Sequence, residues 1–344
     1  MPSLDVVLVF GGASSERLVS VASAQNVSAQ LPDAALWFLA RDGAVFKVTP
    51  GQLAAHQKAF ENEFVPVGEK TWPTFGAALD TEGKGQTFFL ALHGGAGENG
   101  DIQRELEARK VAFTASGSAA SARAFDKAQA KALAGSRGAR LAAAQIIEPG
   151  PAKSIEETLR ALLGTQPRWV LKPVADGSSF GLIHLTSPGQ VPTAAGELAK
   201  LQLRYLAEAY VTGRELTVGV TDEQGGPQAL PVSEVRLPKD AAFDYAGKYL
   251  GRGTEEITPA QLSDAERNAA QALAISAHQA VGCFGYSRTD MILSVDGQGP
   301  VFLEINTLPG LTKASFIPQQ LAASGRSFKS FLERQLELAR SRRG

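Results

Sequence analysis

The stretch SRTDMILSVDGQGPVFLEIN (287–306) decides the fold. Two apolar runs, 287–295 and 300–306, flank Asp296 and Gly297, so a β-hairpin is predicted. Arg288 and Asp290 are two apart on the first run, Glu304 and Asn306 on the second, and residues at i and i+2 share a strand face. For the two pairs to meet, Asp290 must oppose residue 304 or 306, because directly opposed residues point the same way. That register requires an odd number of loop residues, which a three-residue turn with a bulge at Gly297 or Gly299 is expected to supply. Asp290, Glu304 and Asn306 would then offer hard oxygen ligands suited to Mg²⁺, with room left for phosphates. The plain alternative is the polar face of a half-exposed hairpin.

The neighbouring sequence extends the pattern. RELTVGVT (214–221) alternates strictly, setting Leu216, Val218 and Val220 on one face and Glu215 and Thr217 on the other. A long helix is predicted over 264–281. Further upstream, RWVLKPV (168–174), GLIHL (181–185) and LRYLAEAYV (203–211) read as strands. Lys172 ends one of them before the small polar loop 175–179, where backbone N–H groups can approach phosphate oxygens. Glu208 lies in an otherwise apolar strand, and such an acid is paired or binds something. Residues 122–165 read as helical and alanine-rich, broken at Glu148–Pro149–Gly150–Pro151.

At the other end of the chain, DVVLVF (5–10) runs into Gly11 and Gly12, and TFFLAL (87–92) into His93–Gly97. Both read as buried strands that end in ligand-binding turns. A helix follows the first turn, with Ser14 or Ser15 expected as its N-cap and Glu16 in its first turn. Alternating strand and helix signals to about residue 120 predict an open, mostly parallel sheet, on which 41–80 is an elaboration.

Composition excludes several classes. The 344 residues carry 34 Lys+Arg against 35 Asp+Glu, so there is no global basic field to attract nucleic acid or acidic lipid. Arg340, Arg342 and Arg343 are expected to form a solvated tail. Cys283 is the only cysteine, which rules out an internal disulfide and any multi-cysteine metal site. No secretory signal and no run long enough to span a membrane are evident, so a cytoplasmic protein with no membrane partner is expected.

The motifs GGASSERLVS (11–20), LHGGAGENG (92–100), VLKPVADGSSFG (170–181), FDYAGKYL (243–250), SRTDMIL (287–293) and LEINTLPGLT (303–312) resemble those of the D-alanine:D-alanine ligases, a family of the ATP-grasp fold. They occur in the family's order over nearly the whole chain. The resemblance implies an α/β (α+β) protein of three domains: an N-terminal substrate domain (1–123), a central nucleotide lid (124–212), and a C-terminal domain (213–344) with the metal site and oxyanion donors. It implies ATP-dependent joining of two D-alanines through an acyl phosphate for peptidoglycan precursors, with two Mg²⁺ ions, for which Mn²⁺ is an alternative. A homodimer is what the family suggests. Alternatives are a ligase with another acceptor and a nucleotide-binding regulator without turnover.

By the same resemblance, Lys127, Lys172 and Lys248 contact ATP phosphates, and Ser178 and Ser179 lie in a loop that closes over them. Glu208, Ala209, Tyr210 and Val211 hold adenine, and Glu215 the ribose. Asp290, Glu304 and Asn306 match the metal site. Glu16 matches the residue that receives the first substrate's ammonium, with His93 near its carboxylate, and Glu16, Ser178 and Tyr249 are linked by hydrogen bonds. Arg288 and the Gly310 N–H correspond to the oxyanion donors. Ser315 and the Phe316 N–H match the site for the second carboxylate. Tyr249, where D-lactate-using relatives carry histidine, implies an amine acceptor. Asn99, Arg104, Lys313, Ala314 and Phe316 depart from the family pattern; Asn99 keeps the shape of the usual Asp without its charge, and the changes at 313–316 leave Ser315 in place and bear on the acceptor more than on ATP chemistry.

Overall fold

The computed structural model describes residues 5–175, 181–236 and 255–342. The first 116 residues alternate strand and helix as expected: β1 (Val6–Gly11), α1 (Arg17–Ser28), β2 (Ala35–Leu39), β3 (Val45–Val48), α2 (Pro50–Ala55), α3 (Phe75–Glu82), β4 (Thr87–Leu90), α4 (Asp101–Ala108) and β5 (Ala112–Phe113). The sheet runs β3-β2-β1-β4-β5, parallel apart from the edge strand β3. Burial on both faces explains the unbroken apolar runs Val6–Phe10 and Phe88–Leu90. α1 starts one turn position later than expected, with Glu16 at its N-cap and no side-chain cap. Ser14 is engaged elsewhere, since its hydroxyl donates to the His93 carbonyl across the sheet.

Next come α5 (Ser118–Phe125), α6 (Lys127–Ser136), β6 (Ala144–Ile147), α7 (Ala152–Thr165), β7 (Trp169–Pro173), β8 (Ile183–Leu185), α8 (Val191–Leu201) and β9 (Tyr205–Ala209). The antiparallel sheet β6-β9-β7-β8 shares an apolar core with α7 and α8. β6 corrects the helical reading of 122–165. Its propensity is weak, but pairing of Ile147 with Tyr205 and Ala144 with Glu208 overrides it.

The remainder comprises β10 (Gly213–Glu223), β11 (Gly226–Ala229), β12 (Ser233–Arg236), β13 (Glu255–Ile257), α9 (Asp264–Val281), β14 (Tyr286–Ser294), β15 (Pro300–Asn306), α10 (Phe316–Ala323) and α11 (Phe328–Ser341). Its antiparallel sheet runs β13-β12-β10-β14-β15, with β11 paired to β10. Leu216, Val218 and Val220 are fully buried against Ala270, Ala274 and Ala277 of α9, each of these strand residues contributing about 1.5–3 kcal/mol. Ala130 and Ala134 place α6 in this same core. Ser263 and Glu266 form a capping box that starts α9 where its sequence predicts. Ile317 and Leu321 of α10, with Phe331, Leu332 and Leu336 of α11, pack into the core of the first sheet.

Within the hairpin Asp290 opposes Glu304 and Arg288 opposes Asn306, as the shared-face argument requires. The bulge, however, lies between Asp290 and Met291 and not at the turn glycines, since Met291 opposes Phe302 and Leu303 is the extra residue. A bulge inside the strand re-aims side chains at a site, whereas one in the turn only changes loop length. A second correction concerns the tail. The Arg342 guanidinium lies 4.1 Å from the Phe284 ring centroid and donates to the Ala115 carbonyl at 2.6 Å, so it fastens the last helix and is not freely solvated. Among the described residues no helix is long and apolar enough to cross a membrane.

Candidate active site

The polar faces of β10, β14 and β15 form the floor of a cleft. Glu215, Thr217, Arg288, Asp290, Glu304 and Asn306 line it, because alternation sends their apolar neighbours to the opposite face. Arg288 forks onto Asp290, with Nε to Oδ1 at 2.9 Å and an η-nitrogen to Oδ2 at 2.7 Å. Thr217 donates to Asp290 Oδ1 at 2.6 Å, and the Asn306 amide donates to Oδ2 at 3.2 Å. Lys127, at the first position of α6, reaches within 3.9 Å of Glu304. Two carboxylates and a carboxamide on one polar face are a donor set that fits Mg²⁺, which takes few protein oxygens and keeps positions for phosphate and water. Among the described residues no group of three or more His, Cys, Asp or Glu side chains is placed to hold a metal ion.

Beside this floor lies a buried charge cluster. Glu208, 3% exposed, pairs with both Lys172 and Lys131. Burial pushes the Glu208 carboxyl up, but the two ammonium groups outweigh it and hold it low. Burial likewise acts against Lys172, which is nonetheless raised by Glu208, Glu304 and Asp290. Lys131 is pushed down to about 8, chiefly by burial. Its ammonium also donates to the Phe302 carbonyl at 3.0 Å, tying α6 to β15. The Lys172 ammonium interacts electrostatically with the hairpin carboxylates Glu304 and Asp290. Tyr210 is exposed and stacks under Arg168 at 3.8 Å.

The opposite wall comes from the first sheet. Glu16 is buried at the start of α1, and Gly94 is what lets its carboxylate fit: a Cβ there would stand 2.6 Å from Glu16 Oε2. His93 lines the cleft, but both its ring nitrogens are committed to protein. Nδ1 donates to the Leu308 carbonyl at 2.9 Å, so Nε2 accepts from the Ser23 hydroxyl at 2.9 Å. Burial depresses the imidazole to about 4, which keeps it neutral at pH 7. The Leu311 N–H donates to Ser23, and Asn26 donates to the Leu311 carbonyl at 2.8 Å. His93 therefore braces the loop that carries Gly310. Glu98 approaches His93 at 3.9 Å, and burial together with Glu16 pushes its carboxyl up to about 8.

In the loop before α10, a Cβ on Gly310 would come within 2.6 Å of Ser315 Oγ, so glycine is required for the close approach. Ser315 Oγ accepts from Thr312 N at 3.1 Å and lies 2.8 Å from Thr312 Oγ1, and Phe316 begins the helix. Ser178, Ser179, Lys248 and Tyr249 lie outside the described residues. Sequence reasoning missed Lys131, Glu98 and Phe60. Lys131 is signalled by its position one helical turn beyond Lys127, and Glu98 lies inside the 92–100 motif. Phe60 gives no local signal.

The cleft is thus floored by one antiparallel sheet, with a second antiparallel sheet that carries Lys172 beside it. The chain belongs to the D-alanine–D-alanine ligase family: residues 5–116 match the family model described as D-ala D-ala ligase N-terminus, and 153–337 the one described as D-ala D-ala ligase C-terminus. A D-alanine–D-alanine ligase of Sinorhizobium medicae is 35% identical over 348 residues, with 98% of each chain covered. In fold the chain resembles the D-alanine-D-alanine ligase of Coxiella burnetii (TM-score 0.79, 24% identity, 99% of this chain and 96% of that one). It equally resembles the VanG D-Ala:D-Ser ligase of Enterococcus faecalis (TM-score 0.79, 24% identity, 97% and 98%).

Proposed function

We propose that this protein joins two D-alanines to D-alanyl-D-alanine with conversion of ATP to ADP and phosphate, the step that supplies a peptidoglycan precursor. The observation that carries this reading is the convergence of Glu16, Arg288, Asp290, Glu304 and Asn306 on one cleft, with Lys127 at its edge. A carboxylate is a poor acyl donor, and phosphorylation by ATP activates it once the charge between them is neutralised. In this reading Glu16 takes the first ammonium, and Lys127, Lys172 and Lys248 hold phosphates. Glu208–Val211 and Glu215 hold the nucleoside. Arg288 and the Gly310 N–H stabilise the oxyanion formed when the second amine attacks, while Ser315 and the Phe316 N–H receive its carboxylate. Two Mg²⁺ on Asp290, Glu304 and Asn306 would clamp the transferred phosphoryl group.

We assign the nucleotide to the junction of a lid at 124–212 and a catalytic unit at 213–344, with amino acids facing the unit 1–123. Ser178, Ser179 and Tyr249 would complete closure against water. A cytoplasmic homodimer is part of the same proposal. A coupled ADP assay with D-alanine tests it: ADP release that requires D-alanine is expected, and release with L-alanine instead would refute it. A second reading changes only the acceptor. It is favoured by Lys313, Ala314 and Phe316 around Ser315, and product analysis with D-serine and D-lactate separates the two.

A further inference from the structure

Phe60 has no part in the chemistry above, yet its half-buried ring lines the cleft. The segment that carries it, between α2 and α3, has no helix or named strand but is braced over 58–64. It opens with a turn at Lys58 (φ 55°), whose carbonyl accepts from Glu61 N at 2.8 Å and Asn62 N at 3.0 Å. Phe64 is buried between Phe38 and Phe10, at ring centroid distances of 5.0 and 5.8 Å. Glu63 accepts from Arg17 Nε at 2.8 Å and from Arg41 at 2.6 Å. Arg17 directly follows Glu16, so these contacts tie the segment that carries Phe60 to the start of α1, and Phe60 and Glu16 both line the cleft.

Among the described residues that line the cleft are the polar Glu16, His93, Glu98 and Arg288 and, besides Phe60, the apolar Leu308 and Pro309. Polar groups of this kind orient an amino acid's ammonium and carboxylate but provide no apolar wall for its side chain, which pockets for small ligands ordinarily supply. We propose that Phe60 determines specificity for the first amino acid, its ring closing the space beyond the substrate's Cβ so that D-alanine fits and longer D-amino acids do not. The inference rests on the ligase reading above. One methylene in an apolar pocket is worth about 10–200-fold in discrimination, so two extra methylenes are expected to be rejected by at least about 100-fold.

The test is ADP release with D-alanine and with D-norvaline in competition, the residue order in each dipeptide being read by tandem mass spectrometry. The parent is expected to place D-alanine first by at least ~100-fold. Phe60→Ala should reduce that preference below ~10-fold with D-norvaline entering the first position, and should leave the KM for ATP within about 2-fold; Phe60→Leu should lie between. Should Phe60→Ala not fold, Phe60→Leu carries the comparison, with at least a ~3-fold narrowing required. ADP release with an unchanged preference overturns this inference alone, as does a change confined to the second position. No ADP release from the parent with any D-amino acid overturns the ligase reading and this inference together.

Discussion

Replacing Lys131 by Met tests whether the buried charge cluster prepares Lys172 for nucleotide. Glu208 is shared between Lys131 and Lys172, all three nearly inaccessible to water. Leaving a buried charge wholly unpaired costs about 3–5 kcal/mol, but here Lys172 remains, so a smaller penalty of about 1–2 kcal/mol is expected from the pair. Loss of the hydrogen bond to the Phe302 carbonyl adds about 1 kcal/mol. The larger consequence is functional. With Lys131 present, two cations compete for one carboxylate and Lys172 retains positive charge for phosphate; without it, Lys172 and Glu208 neutralise each other. A differential of about 1.4 kcal/mol corresponds to a tenfold rise in the KM for ATP, with the KM for D-alanine changed less than about twofold. Coupled ADP kinetics and urea denaturation measure the two effects. Unchanged ATP KM together with a stability loss under about 0.5 kcal/mol would refute the reasoning.

Three further outcomes are expected. Arg288→Ala should lower kcat about 10²–10³-fold while ATP binding by calorimetry persists, because a lost oxyanion donor acts on the transition state; near-normal turnover would contradict its role. Glu304→Gln should raise the Mg²⁺ concentration needed for half-maximal rate at least about tenfold, and an unaltered magnesium curve would count against the assigned metal site. His93, lowered to about 4, takes up its proton in the unfolded chain near 6.5 but in the folded one only near 4, so its contribution to stability declines as pH falls between these values. Glu98, raised to about 8, acts with the opposite sign from about 8 down to 4.5, where the folded chain holds the extra proton. Bulk stability therefore mixes the two, and the decisive measurement is NMR of the His93 ring, which should not titrate between pH 5 and 8.

Much of the architecture is legible in the sequence because it is encoded by local periodicity. The alternation in 214–221 assigns Glu215 to the polar face, the helix expected over 264–281 is α9, and the i, i+2 spacing requires Asp290 to oppose residue 304 or 306, of which the structure takes Glu304. The structure departs from the local pattern where the deciding contact is distant. The bulge sits at Leu303 and not at the turn glycines, Ser14 donates to the His93 carbonyl and does not cap α1, and 144–147 is a strand because it pairs with β9.

The amino-acid sequence by itself determined most of the strands and helices and the polar and apolar faces of β10, β14 and β15, since these follow from spacing and side-chain chemistry within a few residues. Only the tertiary structure decided that Lys131 shares Glu208 with Lys172, that the neutral His93 ring braces Leu308, and that Phe60 lines the same cleft as Glu16. Those relations depend on burial and on contacts between residues tens to hundreds of positions apart, and no periodicity along a chain records which distant segment will exclude water from a given charge.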